Sequence, residues 1–420
     1  MTRLWNRLKP FRTRILLLLA VIGPGIITAN VDNDAGGITT YSVAGARYGY
    51  SLLWMLVLVT LALIIVQEMS ARLGVVTGKG LAALIRERLG VRWTTIIIGI
   101  LLIANLANTV SEFAGIAASM EIFGVSKYIS VPIAAIAVWF LIVKGSYKSV
   151  ERVFLVASVI YLAYVISGFM ANPPWAAVLK ETLTPTFKLE SGYVALFITV
   201  IGTTIAPWMQ FYQQSAIADK GISVSVLPYE RLDVIIGCFF TDIVAAFIMI
   251  GCAATIYAHN LPIESAADAA RALAPLAGPF ATVLFALGLL NASVFSAAIL
   301  PLSTAYAVCE AFGWESAVNR NLREAPIFFG IYTALIVLGA LIILLPIKSL
   351  IDAMLASQTL NGVLLPIILI VMLRLINDKR LMGKYVNGRI FNIISWAMVI
   401  VLIFLTGVLV VTSTFPGLLS

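Results

Sequence analysis

Apolar segments long enough to cross a lipid bilayer as helices, about 20 residues each, recur along the whole chain. Since 61% of the 420 residues are hydrophobic and only 11% are charged, one water-soluble core cannot hold this much apolar surface. We therefore expect an all-α integral membrane protein, with residues 1–420 forming a single transmembrane domain in the lipid bilayer. Eleven spans are predicted, at residues 15–44, 51–70, 93–119, 129–144, 153–171, 191–217, 232–257, 279–309, 327–345, 350–373 and 391–413.

The basic residues indicate the orientation of these spans. When the N-terminus is placed inside, most of the 28 Lys and Arg residues fall in inside segments, where short basic loops remain because they resist translocation. The expected location is the bacterial inner membrane, with a cytoplasmic N-terminus and, after an odd number of spans, an extracellular C-terminus. This topology explains the net charge of +8, so no nucleic-acid partner is expected.

A polar segment interrupts the first span near its middle. It reads Asn30-Val31-Asp32-Asn33-Asp34-Ala35-Gly36-Gly37. In contact with lipid, unsatisfied backbone groups are very costly, so broken backbone is tolerated only where it is buried in protein or lines a cavity. Acids within a membrane are also costly and usually functional. A buried site around this segment is predicted.

A second interruption occurs five spans later. The segment is Gly202-Thr203-Thr204-Ile205-Ala206-Pro207, where the proline lacks an N–H and frees a carbonyl near Thr203. Interrupted helices at matching positions of two halves indicate an inverted-repeat transporter whose substrate lies between the breaks. The expected repeats are residues 15–171 and 191–373, with 391–413 as an extra helix. The alternative is that both segments are ordinary kinks, because Gly and Pro are common in membrane helices.

Several motifs resemble those of the Nramp family of divalent-metal transporters, and the match covers nearly the full length. Within that family the chain is most similar to the Nramp-related magnesium transporters. The resemblance implies a LeuT-type fold, with two repeats of five helices and one additional C-terminal helix. The motifs are Gly23-Pro24-Gly25, Tyr48-Gly49-Tyr50, the segment 67–80 (QEMSARLGVVTGKG), Glu151-Arg152 and the segment 377–383 (NDKRLMG).

The residues at the family's metal-binding positions differ in part. The family's Asp-Pro-Gly-Asn motif aligns with residues 34–37. The ligand aspartate of the family is present here as Asp34, whereas Gly37 stands at the position of the ligand asparagine. In the second break the family has an alanine that binds metal through its carbonyl, a methionine, a proline and a histidine, and a further histidine one turn later. The aligned residues are Thr203, Ala206, Pro207, Trp208 and Gln213.

These differences favour a hard ion. A thioether selects late transition metals, whereas carboxylate, carbonyl and water oxygens suit Mg²⁺, Ca²⁺ and Mn²⁺. Because Mg²⁺ dehydrates reluctantly, a roomier all-oxygen site is expected to carry partly hydrated Mg²⁺, with Mn²⁺ as a second substrate and no cofactor. The expected metal site comprises Asp34, Gly37, Thr203, Ala206 and Gln358.

Other polar residues are expected in the outer shell or along the pathway: Asn30, Asp32, Trp208, Gln210, Gln213, Thr109 and Glu112. Three alternatives remain open at this point. In the first, Asp34 is a structural acid at a helix N-terminus or beside a buried base. In the second, Gln358 forms hydrogen bonds between helices. In the third, Trp208 serves packing or gating, because indole is only a donor.

Proton carriers are scarce in the sequence. The one histidine, His259, falls in an outside loop, and the family acid one turn before Glu112 aligns with Thr109, whose hydroxyl does not titrate near neutral pH. We expect a monomer that transports without proton coupling. The alternatives are a proton-coupled Mn²⁺/Fe²⁺ symporter and a LeuT-fold carrier of small organic solutes, although Asp34 would repel a substrate carboxylate. No enzyme motif is present.

Overall fold

The computed structural model describes residues 28, 31–144, 158–188, 190–315 and 322–414. Throughout these residues the regular structure is helical, without a β-strand. Eight of the helices are long and apolar enough to cross a membrane, or up to nine if one bent pair, Val159–Met170 and Trp175–Leu183, is counted as one span. The described chain is therefore an all-α membrane protein.

The described part of the first half contains six principal helices. They are α1 (Ala35–Tyr48), α2 (Leu53–Thr77), α3 (Leu81–Ile122), α4 (Lys127–Val143), α5 (Leu162–Met170) and α6 (Trp175–Leu183), with a 3₁₀ turn at Ser158–Tyr161. The second half continues with α7 (Ser191–Thr204), α8 (Pro207–Lys220), α9 (Leu227–Thr255), α10 (Ala281–Phe312), α11 (Pro326–Leu344), α12 (Leu350–Ile376) and α13 (Arg389–Thr414). Short helices lie at Ala266–Ala269, Ala274–Ala277 and Lys379–Met382, and further 3₁₀ turns at Val224–Val226, Tyr257–His259, Ala270–Leu273, Gly278–Phe280 and Gly383–Tyr385.

The predicted spans overlap these helices, but their ends differ. The third span was expected to begin at residue 93, whereas α3 begins at Leu81 and changes direction at Gly90, where φ is +77°. Only glycine adopts this conformation without a Cβ clash. Most of the first span before Val31, the start of the fifth span, Asn30 and two of the family motifs lie outside the described residues, so the total of eleven spans stays a prediction.

The distribution of polarity is the reverse of that in a water-soluble protein. Large apolar side chains such as Leu58, Ile133 and Phe404 are more than half exposed, whereas Glu112 and Asn108 are completely buried. An apolar surface of this kind marks contact with lipid or protein. The polar groups are therefore collected in the interior of the bundle.

Glycines bring the backbones around the two breaks into contact. A side chain at Gly202 of α7 would collide with the Gln358 carbonyl of α12, and a Cβ at Gly362 would lie 2.5 Å from the Ile198 carbonyl. Gly45 of α1 meets α9 in the same way. Small residues permit such close approach of membrane helices. The packing therefore brings α7 directly against α12 and α1 directly against α9.

Candidate functional site

The first break lies where the sequence predicts it. Residues 31 and 32 are helical, the chain turns at residues 33 and 34, and α1 starts at Ala35. Asp34 is the N-cap, and its carboxylate accepts a hydrogen bond from the Gly37 amide at 2.6 Å. Asp34 therefore does cap a helix, as the structural alternative holds. Capping leaves acceptor capacity on the Asp34 side chain, because an ionised carboxylate offers about four lone-pair sites.

The second break is a two-residue interruption between α7 and α8. Ile205 and Ala206 have non-helical dihedral angles, and Pro207 opens α8. Because Pro207 lacks an N–H, the Thr203 carbonyl loses its normal helical partner. The Ala206 carbonyl is already engaged, accepting from the Met209 amide at 3.2 Å. An ion at Ala206 would compete with this bond, whereas the Thr203 carbonyl is available.

Three oxygens from the two breaks converge above Gly37. An alanine Cβ at this position would lie 3.3 Å from both Asp34 Oδ1 and Thr203 Oγ1. It would also lie 2.6 Å from the carbonyl oxygen of Asp32. The space that a side chain at residue 37 would need is thus occupied by the chain itself. The Thr203 hydroxyl is buried and has no hydrogen-bond partner among the described residues. The sequence predicted a role only for the carbonyl of Thr203, not for this hydroxyl.

Gln358 reaches the first break from α12. A Cβ at Gly36 would collide with its amide nitrogen, so this amide lies directly on the backbone of the break and close to the Asp34 carboxylate. Its oxygen accepts from Asn361 at 2.8 Å, and Asn361 also bonds Asn108 of α3 at 2.9 Å. In this arrangement the Gln358 amide nitrogen lies at the first break without a hydrogen-bond partner among the described residues, and Asn361 supplies the link to α3. Direct metal binding by its oxygen would require the amide to turn.

Glu112 is the second acid at the first break. Its carboxylate accepts from the Ala35 amide at 3.3 Å and interacts with the Asp34 carboxyl group. Glu112 is fully buried, and among the described ion pairs none includes Asp34 or Glu112. One turn earlier, Thr109 donates to the Asn105 carbonyl at 2.8 Å. Two carboxyl groups therefore lie together without a basic partner.

Three further pathway candidates are buried on α8. Trp208 packs against Tyr212, with ring centroids 6.2 Å apart, and so serves packing in this arrangement. With its amide nitrogen turned inward, Gln210 donates to the carbonyls of Ala206 and Pro207, at 2.8 Å each. Neither amide atom of Gln213 has a hydrogen-bond partner in the described part of the chain. Of these three residues, Gln213 has the capacity left for a passing ion or its water.

Asp32 lies apart from the Asp34 carboxylate, although its carbonyl contributes to the convergence above Gly37. Its side chain accepts from Thr241 of α9 at 3.2 Å, and Asn33 donates to the same hydroxyl at 2.8 Å. The sequence reasoning missed these α9 contacts and the neighbouring Asp242, which interacts with Asp32. The signal was present, because Asp242 is an acid in the middle of an apolar span.

The protein groups do not form a closed metal cage. Among the described residues, no group of three or more His, Cys, Asp and Glu side chains could hold a metal ion. What the breaks offer is one carboxyl group at Asp34, neutral oxygens and adjacent buried polar side chains. Such a site suits an ion that keeps some of its own water.

Comparison with known proteins gives consistent matches over nearly the whole chain. A family model described as Nramp, natural resistance-associated macrophage protein-like, matches residues 25–412. A protein from Bacillus subtilis named divalent metal cation transporter MntH is 26% identical over 412 residues, covering 95% of this chain and 93% of the relative. One of the same name from Aeromonas hydrophila is 28% identical over 407 residues, covering 94% and 96%.

A solved structure shares the fold. The crystal structure of a manganese transporter from Eremococcus coleocola superposes with a TM-score of 0.78 at 21% identity, covering 95% of this chain and 88% of that one. The expected all-α LeuT-type membrane fold is confirmed. The relatives are transporters by name, which confirms that an enzyme is not to be expected. Since the family model spans almost the entire sequence, the chain belongs to the Nramp family.

Proposed function

We propose that this chain is a secondary transporter that carries divalent metal cations into the cytoplasm by alternating access. Mg²⁺ is the principal substrate, Mn²⁺ the second, and the ion moves partly hydrated and without proton coupling. Divalent metal transport is supported by family membership and by the names of the relatives, which are called divalent metal cation or manganese transporters. The choice of ion and the lack of coupling rest on this chain's own residues.

The observation that carries the choice of ion is the convergence of oxygens above Gly37. The Asp32 carbonyl, the Asp34 carboxylate and the Thr203 hydroxyl all approach this one point. Carboxylate, carbonyl and hydroxyl oxygens are hard donors, which suit Mg²⁺ and Mn²⁺ better than late transition metals. Ala206 offers no sulfur at the second break, so a soft donor is missing from the position where the family resemblance places one.

The same set of donor oxygens supports the proposal that the ion keeps part of its water shell. Mg²⁺ demands near-octahedral coordination and usually keeps several waters while binding one or two carboxylates. Asp34 supplies one carboxylate, and the neighbouring oxygens supply hydrogen-bond acceptors for the retained water. The unpaired amide of Gln213 provides a further polar contact along α8 for a hydrated ion.

The absence of coupling is supported by the residues around Glu112. Proton relays in membranes use chains of Asp, Glu and His, whereas here the turn before Glu112 carries Thr109 and the pathway position on α8 carries Gln213. The membrane potential is a sufficient driving force, since it gives a dication about 4.6 kcal/mol at about 100 mV, twice the single-charge value.

The test uses purified protein in liposomes with Mg²⁺ and pH indicators trapped inside and a potassium-diffusion potential, negative inside. We expect Mg²⁺ entry that rises with the potential and no acidification beyond that of empty liposomes. Entry of Mn²⁺ or Fe²⁺ with acidification, and no entry of Mg²⁺, would contradict the proposal. Liposomes containing Asp34→Ala serve as the control for leakage.

One observation favours the proton-coupled alternative. Glu112 reaches the backbone next to Asp34, since it accepts from the Ala35 amide at 3.3 Å. A thioether lies one turn before Gln358 on α12, where Met354 accepts from the Thr39 hydroxyl at 3.4 Å. An acid pair and a soft donor are the components that a proton-coupled transition-metal importer needs. Simultaneous measurement of metal and proton entry separates this alternative from uncoupled Mg²⁺ transport.

A further inference from the structure

A second pair of acids lies in the interior, beside the first break. Asp32 and Asp242 are 2% and 5% exposed, and Thr241, the residue before Asp242 on α9, donates to the Asp32 carboxylate at 3.2 Å. Tyr41 of α1 stands close to both carboxylates and donates to or accepts from Thr204 at 2.8 Å. The pair therefore adjoins both breaks but is distinct from the contact between Asp34 and Glu112.

The carboxylate oxygens of this pair are largely unpartnered. Thr241 donates to Asp32 Oδ2 at 3.2 Å, while Asp32 Oδ1 and both oxygens of Asp242 have no hydrogen bond within the described residues. The Thr60 hydroxyl lies near Asp242, but its one proton goes to the Leu56 carbonyl at 2.8 Å. In this arrangement Thr60 forms no hydrogen bond with Asp242.

In the part of the chain that the structure describes, no basic side chain forms an ion pair with Asp32 or Asp242. A buried carboxylate without a partner is strongly disfavoured, and two adjacent carboxylates disfavour each other further. A cation between them would remove both penalties and would use the three free oxygens.

An adjoining cavity supplies an independent indication of a hydrated ligand. Gln67 and Gln213 both line this cavity, and all four of their amide atoms are buried without a partner in the described chain. Cys238 lines it as well, one helical turn before Asp242 on α9. The cavity therefore lies one helical turn from Asp242, on the side of the bundle predicted to face the cytoplasm.

We infer that Asp32 and Asp242 form a second subsite for a hard divalent cation, between the Asp34 site and the cavity lined by Gln67 and Gln213. The two carboxylates provide the charge, and water held by the two amides completes the shell. This inference rests on the proposed function, since it concerns the same ion. With two successive sites, binding can be strong enough for an ion to enter and weak enough for it to leave.

The test counts ions bound to purified protein in lipid nanodiscs, with Mn²⁺ alone as the probe. Free Mn²⁺ is followed by electron paramagnetic resonance at a Mn²⁺ concentration that saturates both sites. The wild type should bind two ions per chain, and Asp242→Asn, Asp32→Asn and Asp34→Ala one each. Asp219→Asn is the matched control, because this exposed aspartate accepts from Tyr306 at 2.9 Å and lies elsewhere; it should still bind two.

Each contrary outcome has a separate meaning. A wild type that binds one ion, lost in Asp34→Ala and kept in Asp242→Asn, would overturn the second subsite and leave the proposed function intact. A wild type that binds no Mn²⁺ would overturn the proposed function itself. The number of Mn²⁺ ions bound by the wild type tests the second subsite even if one of the asparagine variants does not fold. An acid pair that stays protonated and binds no ion would give a count of one.

Discussion

The helices that follow the two interruptions begin with different residues. At the first break an acid ends the interruption, since Asp34 caps α1 with its carboxylate. At the second break no ionisable group is present, and Pro207 opens α8 without a side-chain cap. The difference teaches that the site is divided, with the charge supplied by the first break and neutral oxygens by the second.

The helix ends add to this division. α7 ends at Thr204, so the negative end of its dipole and the free Thr203 carbonyl face the break. Cations are stabilised at such C-terminal ends. At the first break, by contrast, the N-terminus of α1 is positive, and the Asp34 carboxylate offsets it. The first break therefore needs its acid both for the helix and for the ion, and the variants below separate these two roles.

The largest effect is expected at Asp34. Loss of a second-shell partner typically costs about 10- to 100-fold in metal affinity, so loss of the charged ligand should lower Mg²⁺ uptake by more than about 100-fold. Asp34→Ala removes both the cap and the charge, whereas Asp34→Asn keeps the cap, since asparagine is an equally good N-cap. Both should abolish uptake in liposomes, and only Asp34→Ala should also lower the thermal midpoint. Normal uptake by Asp34→Asn would assign the residue to structure alone.

The next largest effect is expected at Gly37. Its substitution by alanine would place a Cβ 2.6 Å from the Asp32 carbonyl. Such overpacking costs about 1–3 kcal/mol, and we expect uptake to fall roughly tenfold, the factor that corresponds to about 1.4 kcal/mol. Gly99→Ala is the matched control, because nothing lies within 4 Å of a Cβ there. Equal uptake by Gly37→Ala and Gly99→Ala would show that the oxygens above residue 37 are not the site.

A change of selectivity is expected at the second break. Ala206→Met introduces a soft thioether where the wild type has none, so the ratio of Cd²⁺ to Mg²⁺ uptake should rise by up to about tenfold, or about 1.4 kcal/mol. Ala206→Leu has a similar volume without sulfur and controls for crowding. If both variants shift the ratio equally, ligand softness does not explain the choice of ion.

The smallest effect is expected at Glu112. Glutamine keeps an oxygen that can accept from the Ala35 amide but cannot carry a proton. If transport is uncoupled, Glu112→Gln should keep Mg²⁺ uptake within about threefold, under 1 kcal/mol, and uptake should not respond to an imposed pH gradient in either protein. A gradient-driven uptake in the wild type that disappears in this variant would make Glu112 the coupling group.

Local signals in the sequence located both breaks. Acids and glycines inside one apolar run and a proline inside another are visible without any tertiary information, and both interruptions lie within a residue or two of their predicted positions. The orientation of Gln358 was not predictable in this way. It depends on Asn361 and, through it, on Asn108 of another helix, which only the packed bundle brings together.

Position 37 illustrates the same limit. The resemblance alone suggests a roomier site, because a ligand side chain is replaced by glycine. In the structure that space is taken by the backbone carbonyl of Asp32, a contact within the turn whose geometry depends on the neighbouring helices. Asp242 was detectable as an acid within an apolar span, but its pairing with Asp32 depends on the packing of α9 against the first break.

The central claim is that the breaks bind a partly hydrated divalent ion through oxygen alone. Electron–nuclear double resonance on Mn²⁺, added at less than one equivalent to the purified protein in ¹⁷O-labelled water, reads the atoms bound to the ion directly. We predict coupling to ¹⁷O from retained water and no coupling to a directly bound nitrogen. A bound ¹⁴N, or an ion stripped of all water, would contradict the account.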